Sequence, residues 1–558
     1  MVEVLGVVTI LVIISLFTFP IISSLTNDTT SKNKQFLDSL YQATETYLEM
    51  NYERFKNNEI SYISASKLIE EGLLSNNLIN PNTNKRVIDE DGVVEATRDV
   101  DNSFKYNYAI NQYITINYIE DLIKILDSDD TYKGKTIILN RDLDFKKDKS
   151  YKDINTSYKG STLKLYLNTS GVTQKNNVFF GNISGNGYSI DNVYMQGDRI
   201  GLFSIISKSN IENINLSGVL DVWGAGGGLL ANSIEETNIN NLNVDVKVPY
   251  NGNDNEYRIN FGGIAGDVAN ANVKNSSVIT DINFSGRSDH IGGFFEMAYN
   301  TIINNCKQEG TILGKYTGGI VSQLNGNSKI INSSSNGKLS GDHVAGLAYD
   351  VDDSEIINSF STSTISSTIE AGGLVIETEN STIKNSYYNG NINGSNIGGL
   401  ALYNANIESS YAIANINCVA CNIAGGLIGE TGDAIIKNSY SLVNINYGNS
   451  TGAIIGGLVG EGRSQIINSY SSSTIVGTGT NIIGGLIGSS NSSTITSSYF
   501  NSSLYNGDLI GSSTSDTITN SEGLTEKDML IESSYNGWDF TNIWNIKNNG
   551  LPTLRKGS

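Results

Sequence analysis

The chain is poor in the residues that mark several common architectures. Only four prolines occur in 558 residues, which excludes a Pro-rich disordered chain, and a charged content of 17% is too low for a coiled coil or helical bundle. Three cysteines, Cys306, Cys418 and Cys421, cannot supply a disulfide framework for so long a chain. The one CxxC pair lacks the second pair of a structural zinc site, so all three read as small packing residues. His290 and His343 are the only histidines, too few for a zinc protease, and there is no HExxH, no G-x-S-x-G elbow with a histidine partner and no P-loop. Lys and Arg number 37 against 57 Asp and Glu, a net charge of −20, so nucleic acid is not an expected partner and cations or basic surfaces are better ones. Glycine is plentiful, at 58 residues, and with Asn, Ser, Thr and Ile it points to short strands joined by tight turns. The length calls for at least two structural units, or one elongated repeat with an appendage.

From Val4 to Ile22 the sequence is almost continuously apolar, close to the length of a helix that crosses a bilayer. No Lys or Arg precedes Lys32, so the basic n-region of a cleaved secretory signal is not seen. Glu3 is a carboxylate at the margin of this apolar stretch and needs a partner, and Pro20 kinks any helix that runs through it. The segment Met1 to Pro20, with its acidic residue seventeen positions before the proline, resembles the N-terminal helix of type IV pilins and pseudopilins. That resemblance implies assembly roles for Glu3 and Pro20, with other pilin subunits and the membrane as partners. The basic leader and the glycine before the peptidase cut are not in this sequence, so it gives no support for prepilin processing. Apolar positions from Phe36 to Phe55 recur at three- and four-residue intervals, which predicts an amphipathic continuation to about residue 56. A short helix over 67–71, capped by Ser66, and several strands then complete a small α+β head ending near residue 115.

A Gly-Gly-apolar-apolar motif recurs from residue 201 onward. Its second glycine, or the equivalent one, falls at Gly228, Gly263, Gly293, Gly319, Gly346, Gly373, Gly399, Gly426, Gly457 and Gly485. Between the glycines lies a second signature, Ile-Ile-Asn-Ser or Ile-Lys-Asn-Ser, and each period holds about three short β-prone runs. Stacked in parallel, such periods make a right-handed parallel β-helix of about 11–12 coils with three strands per coil. Asn304, Asn332, Asn358, Asn385, Asn438 and Asn468 share one position, where stacked amides can bond from coil to coil. Two residues later stand Phe360, Tyr387, Tyr411, Tyr440, Tyr470 and Tyr499, an aromatic column that is either a structural stack or a glycan-stacking face. Four positions after the second glycine come Asp267, Asp350, Glu377, Glu430 and Glu461, for which solvation is the default and a weak Ca²⁺ stripe the alternative.

The runs Gly425-Gly-Leu-Ile-Gly, Gly456-Gly-Leu-Val-Gly and Gly484-Gly-Leu-Ile-Gly resemble the GLUG motif of bacterial surface proteins. The resemblance spans roughly 155–515 and implies architecture and surface display more than activity. The expected order is therefore a membrane or pilin assembly helix (1–29), a head (30–115), an N-terminal cap segment (116–154), the β-helix (155–515) and a C-terminal cap (516–558). The expected localisation is the cell membrane through the N-terminal helix, with an extracellular, pilus-associated β-helix. The function this implies is a non-enzymatic adhesin for a glycan or protein ligand, at a filament tip, with no required cofactor. The alternatives are a β-helical polysaccharide lyase or hydrolase, for which Asp350, Asp352 and Asp353 supply acids and Arg287, Lys315 and Lys329 bases, and a structural spacer.

Overall fold

The computed structural model describes residues 29–126, 128–147, 178–197, 199–222, 226–249, 259–284, 289–547 and 550–555. The described residues form two compact units, one made of those up to 147 with 180–191 and 209–215, the other of the remaining described residues. In the first unit the helix Thr29–Met50 turns Phe36, Leu40, Tyr47 and Leu48 onto a buried cluster with Phe55, Ile63, Leu68 and Val94. The strands Ile60–Ser64, Val93–Arg98 and Phe104–Ala109 form an antiparallel sheet. Ser64, not Ser66, caps the helix Ala65–Glu70. Its backbone is still extended and its hydroxyl accepts the Lys67 N–H at 3.1 Å, whereas Ser66 already lies inside the helix.

The expectation of a long N-terminal pilin-like helix is corrected. The described α-helices are Thr29–Met50, Tyr52–Phe55, Ala65–Glu70 and Ile119–Leu126, and the first ends at Asn51, whose backbone leaves the helical region. Thr29–Met50 carries Lys32, Lys34, Asp38, Glu45 and Glu49, and such charges are costly in hydrocarbon. Among the described residues no helix is long and apolar enough to cross a membrane, so anchoring through an N-terminal helix is not supported. The stretch Val4–Ile22, with Glu3 and Pro20, lies outside the described residues.

The second unit is a parallel β-solenoid. One of its faces is a ladder of thirteen parallel strands, from Val178–Phe179 to Ile510–Thr514, which corrects the expected 11–12 coils. At ~4.8 Å per rung that ladder is roughly 58 Å long. The strand count per coil varies: 260–283 contains four, Asn260–Gly262, Ala265–Ala269, Asn272–Lys274 and Ser277–Asn283, whereas 401–425 contains the expected three, Ala401–Tyr403, Asn406–Glu408 and Tyr411–Gly425. Two left-handed corner residues bend the coil 260–283, Asn270 and Asn275, both at φ 53°. The next coils repeat them at Asn300 and Asn305, and at Asn327 and Asn332. Asparagine tolerates this region better than other side chains do. Asn305 therefore holds the corner column, and Asn304 is the residue before it. The expected amide bonds are present in part: Asn305 Nδ2 donates to Asn275 Oδ1 at 2.8 Å, and Asn332 Nδ2 to Asn304 Oδ1 at 3.1 Å.

Immediately after this corner residue, an asparagine in most coils and Ser409 or Ser497 in two, comes a ladder that the sequence reading does not contain. Cys306, Ser333, Ser359, Ser386, Ser410, Ser439, Ser469 and Ser498 each donate a backbone N–H to the serine hydroxyl one coil further on, at 3.0–3.2 Å. Each hydroxyl then donates within its own coil, as Ser386 Oγ does to the Lys384 carbonyl at 2.7 Å. Backbone N–H groups that the corner removes from the sheet are thus satisfied inside the solenoid. Cys306 is buried in this column, burial pushes its thiol up to about 12, and it acts as a packing residue. Cys418 and Cys421, by contrast, form a disulfide, which corrects their reading as free packing residues.

The second glycines are required by close approach rather than by backbone sign. A Cβ on Gly373 would fall 1.9 Å from the Gly399 carbonyl oxygen of the next coil. Gly373→Ala is therefore expected to destabilise the protein by about 3 kcal/mol. Hydrogen exchange should place the loosening in the coils around 346–399, and unchanged exchange there would contradict this reading.

Candidate functional site

Alternation along the strands settles which way the aromatic column faces. Ser361, Tyr388 and Ala412 are buried, so Phe360, Tyr387 and Tyr411 before them point out of the solenoid, where they are half-buried. Their rings stack face to face, at 4.8 Å between Phe360 and Tyr387 and 4.9 Å between Tyr387 and Tyr411. Tyr440 continues the stack at 4.8 Å and Tyr470 at 5.1 Å. Over Tyr440, Tyr470 and Tyr499 the C-terminal segment lays Met529, Tyr535, Trp538 and Trp544 as one buried cluster. Trp538 Nε1 donates to the Ser497 carbonyl and Tyr470 donates its hydroxyl to the Pro552 carbonyl, both at 2.7 Å. The C-terminal cap expected at the end of the rod lies on its side instead. Because each ring covers its neighbour's faces, the column offers solvent mainly ring edges and hydroxyls, and sugar stacking on ring faces is blocked along most of its length.

The acidic positions fall on another face. Register places Asp267, Met297, Gln323, Asp350 and Glu377 above one another, and then Tyr403, Glu430 and Glu461. Met297, Gln323 and Tyr403 interrupt the stripe, and among the described residues no group of three His, Cys, Asp or Glu side chains could hold a metal ion. Asp267 is pushed up by burial and shares a hydrogen bond with Glu296. Around Asp350 and Glu377 the face opens into a groove of about 840 Å³, lined by Asp350, Asp352, Glu377, Glu379, Tyr403 and Asp433. Asp433 enters where the ladder shifts register between Thr431 and Ala434. Asp350 is raised to about 6, first by burial and then by Glu377, Asp352 and Glu379. The three candidate bases are not among the groove's lining residues. Lys329 pairs with Glu355, Lys315 Nζ lies 5.5 Å from the Tyr316 ring centroid, and Arg287 is outside the described residues.

Beside the groove lies a cluster that sequence reasoning misses. His290, Tyr316, His343 and Glu370 occupy successive coils at one register position, three residues before the second glycine of each repeat. Tyr316 is sandwiched between the imidazoles, at 4.6 Å from His290 and 4.7 Å from His343. His343 Nδ1 lies 2.6 Å from Glu370 Oε2, and Tyr403 donates its hydroxyl to Glu370 Oε1 at 2.8 Å. Burial would raise Glu370, but its bonds to His343 and Tyr403 outweigh that and hold it below the ordinary carboxylate range. Tyr349 packs against this stack and donates to Glu377 Oε1 at 3.4 Å. Tyr349 and Tyr403 thus join the cluster to the groove. The signal that marks the column is the residue aligned with His290 in each repeat, legible only once the glycines are superposed.

No protein-family model matches this sequence, and no curated protein does. A solved chain described as an IgA1 protease is similar to it over 62% of this chain and 24% of that chain, at 14% identity and a TM-score of 0.28. This chain thus spans about a quarter of that structure's length, and a likeness this slight carries no functional argument. The comparisons lend no support to the pilin and GLUG resemblances, and what the structure establishes is the β-solenoid.

The raised Asp350 carries a consequence for stability. A carboxyl that binds its proton more tightly when folded opposes folding once the pH rises through its folded value, so stability should fall between about pH 4 and 7. Asp350→Asn is expected to raise stability at pH 7.5 by about 1 kcal/mol, after allowance for solvent screening, and to have little effect at pH 4. Thermal unfolding at the two pH values checks this, and an equal effect at both would contradict it.

Proposed function

We propose that the solenoid is a non-catalytic, adhesin-like binding module whose groove accepts a hydroxyl-rich or amino-bearing glycan chain without acidic groups. The groove itself carries this reading, since five carboxylates and the Tyr403 phenol line one recess on a regular β-face. Ionised carboxylates accept hydrogen bonds from sugar hydroxyls or ammonium groups, in contacts stronger than neutral ones. The same charge repels uronic acids and sulfated chains. The lining residues come from successive coils stacked in line along the rod, which suits an extended chain better than a compact solute. A second reading rests on the pair Asp350 and Glu377. Two carboxyls on adjacent coils, one pushed up to about 6, resemble the acid and base of a glycoside hydrolase.

Glycan arrays probed with the full chain should show neutral or amino-sugar polymers binding and anionic ones not binding. Asp350→Asn with Glu377→Gln should weaken binding by about tenfold or more, from the loss of charge-assisted hydrogen bonds. Binding confined to anionic glycans, or indifferent to both substitutions, would contradict the proposal. Release of new reducing ends from a bound glycan, lost in Asp350→Asn, would favour the hydrolase instead.

A further inference from the structure

The solenoid ends on an open coil. Its strands Ile510–Thr514, Thr517–Thr519 and Glu522–Leu524 pair with the coil before them, and among the described residues none pairs on its other side. The C-terminal segment that follows turns onto the aromatic column instead of across this end. The consequence is clearest in one inward column. Val273, Ile303, Ile330, Ile356, Ile383, Ile407, Ile436, Ile466 and Ile495 are each at most 2% exposed, whereas Ile518, next in register, is 49% exposed. Residues 510–524 contain no Pro, Lys or Arg, the residues that commonly guard a free edge. Asp516, a carboxylate at this end, is engaged by Ser490, Ser493 and Ser513.

The occupant that fits this edge is visible one coil earlier. Thr517-Ile518-Thr519 sits in register on Thr494-Ile495-Thr496, the same tripeptide, so a Thr-Ile-Thr rung already pairs with its own kind here. We propose that the open end is an interface with a second copy of this chain, docked end to end about a two-fold axis. In that arrangement the Thr517–Thr519 strands of the two copies pair antiparallel, and the two Ile518 side chains close the core across the axis. An isologous contact uses one patch twice, which a self-complementary rung satisfies without a distinct partner surface.

Sedimentation of the full chain should show a dimer at roughly 10 μM, the scale set by a modest interface. Ile518→Lys should shift it to monomer, with a melting temperature equal to that of the wild type at concentrations too low for it to dimerise. Because that variant could also disturb the last coil, Ile518→Cys supplies an independent arm. On oxidation it should yield a covalent dimer, since each position 518 faces its counterpart, whereas Ile435→Cys on the lateral surface should not. Cys418 and Cys421 are bonded to each other and Cys306 is buried, so they do not confuse the readout. A monomeric wild type, an assembly indifferent to Ile518→Lys, or the absence of a cross-link through position 518 would each overturn the proposal.

Discussion

Everything in the solenoid depends on one constraint, that each coil must set its residues directly over their counterparts in the coil before. A parallel rung shifted by one residue would turn its apolar set outward and its polar set into the core. Two devices hold the register. At the glycine corner, the approach of successive backbones leaves no room for a Cβ, as at Gly373 against the Gly399 carbonyl. At the next corner but one, a serine hydroxyl accepts the backbone N–H of the preceding coil and donates to a carbonyl of its own. A hydrogen bond of this kind adds about 1 kcal/mol, but a buried N–H left without a partner costs more, so the ladder acts chiefly by penalising a slipped coil.

The same vertical repetition that stabilises the core creates its candidate site and the tension within it. Stacking places like over like, which suits isoleucine and tyrosine and is unfavourable for carboxylates. The chain relieves the acidic stripe by inserting Met297, Gln323 and Tyr403, which leaves carboxylates on adjacent rungs at Asp350 and Glu377 and again at Glu430 and Glu461. Burial and those neighbours together raise Asp350. Glu370 takes the opposite course, since His343 and Tyr403 occupy its two oxygens and hold it ionised. Local free energy is thus concentrated on one side of the groove, which is a common property of sites that meet a ligand.

The parallel coils, the glycine column and the aromatic column were legible in the sequence because each repeats at a fixed interval and uses a residue with one dominant physical role. Serine was not, since it reads as a turn former and gives no sign that its hydroxyl faces inward. The corner asparagines were read for their amides, while the left-handed backbone that bends the coil at these positions was not, because their spacing alone does not state a backbone conformation. Tyr403 and Glu370 escaped because the site is assembled across coils from residues ~30 positions apart, and a register had to be known first. Whether the aromatic column faced inward could not be settled either, because corners reset the alternation on which such an argument rests.

Backbone hydrogen exchange tests the stacking account most directly. The amides of Ser386, Ser410, Ser439 and Ser469 donate to a hydroxyl in the next coil rather than to a sheet carbonyl. The account predicts that they exchange as slowly as the strand amides beside them, repeating with the period of the coils. Fast exchange at these four positions, with protection confined to the strands, would contradict it.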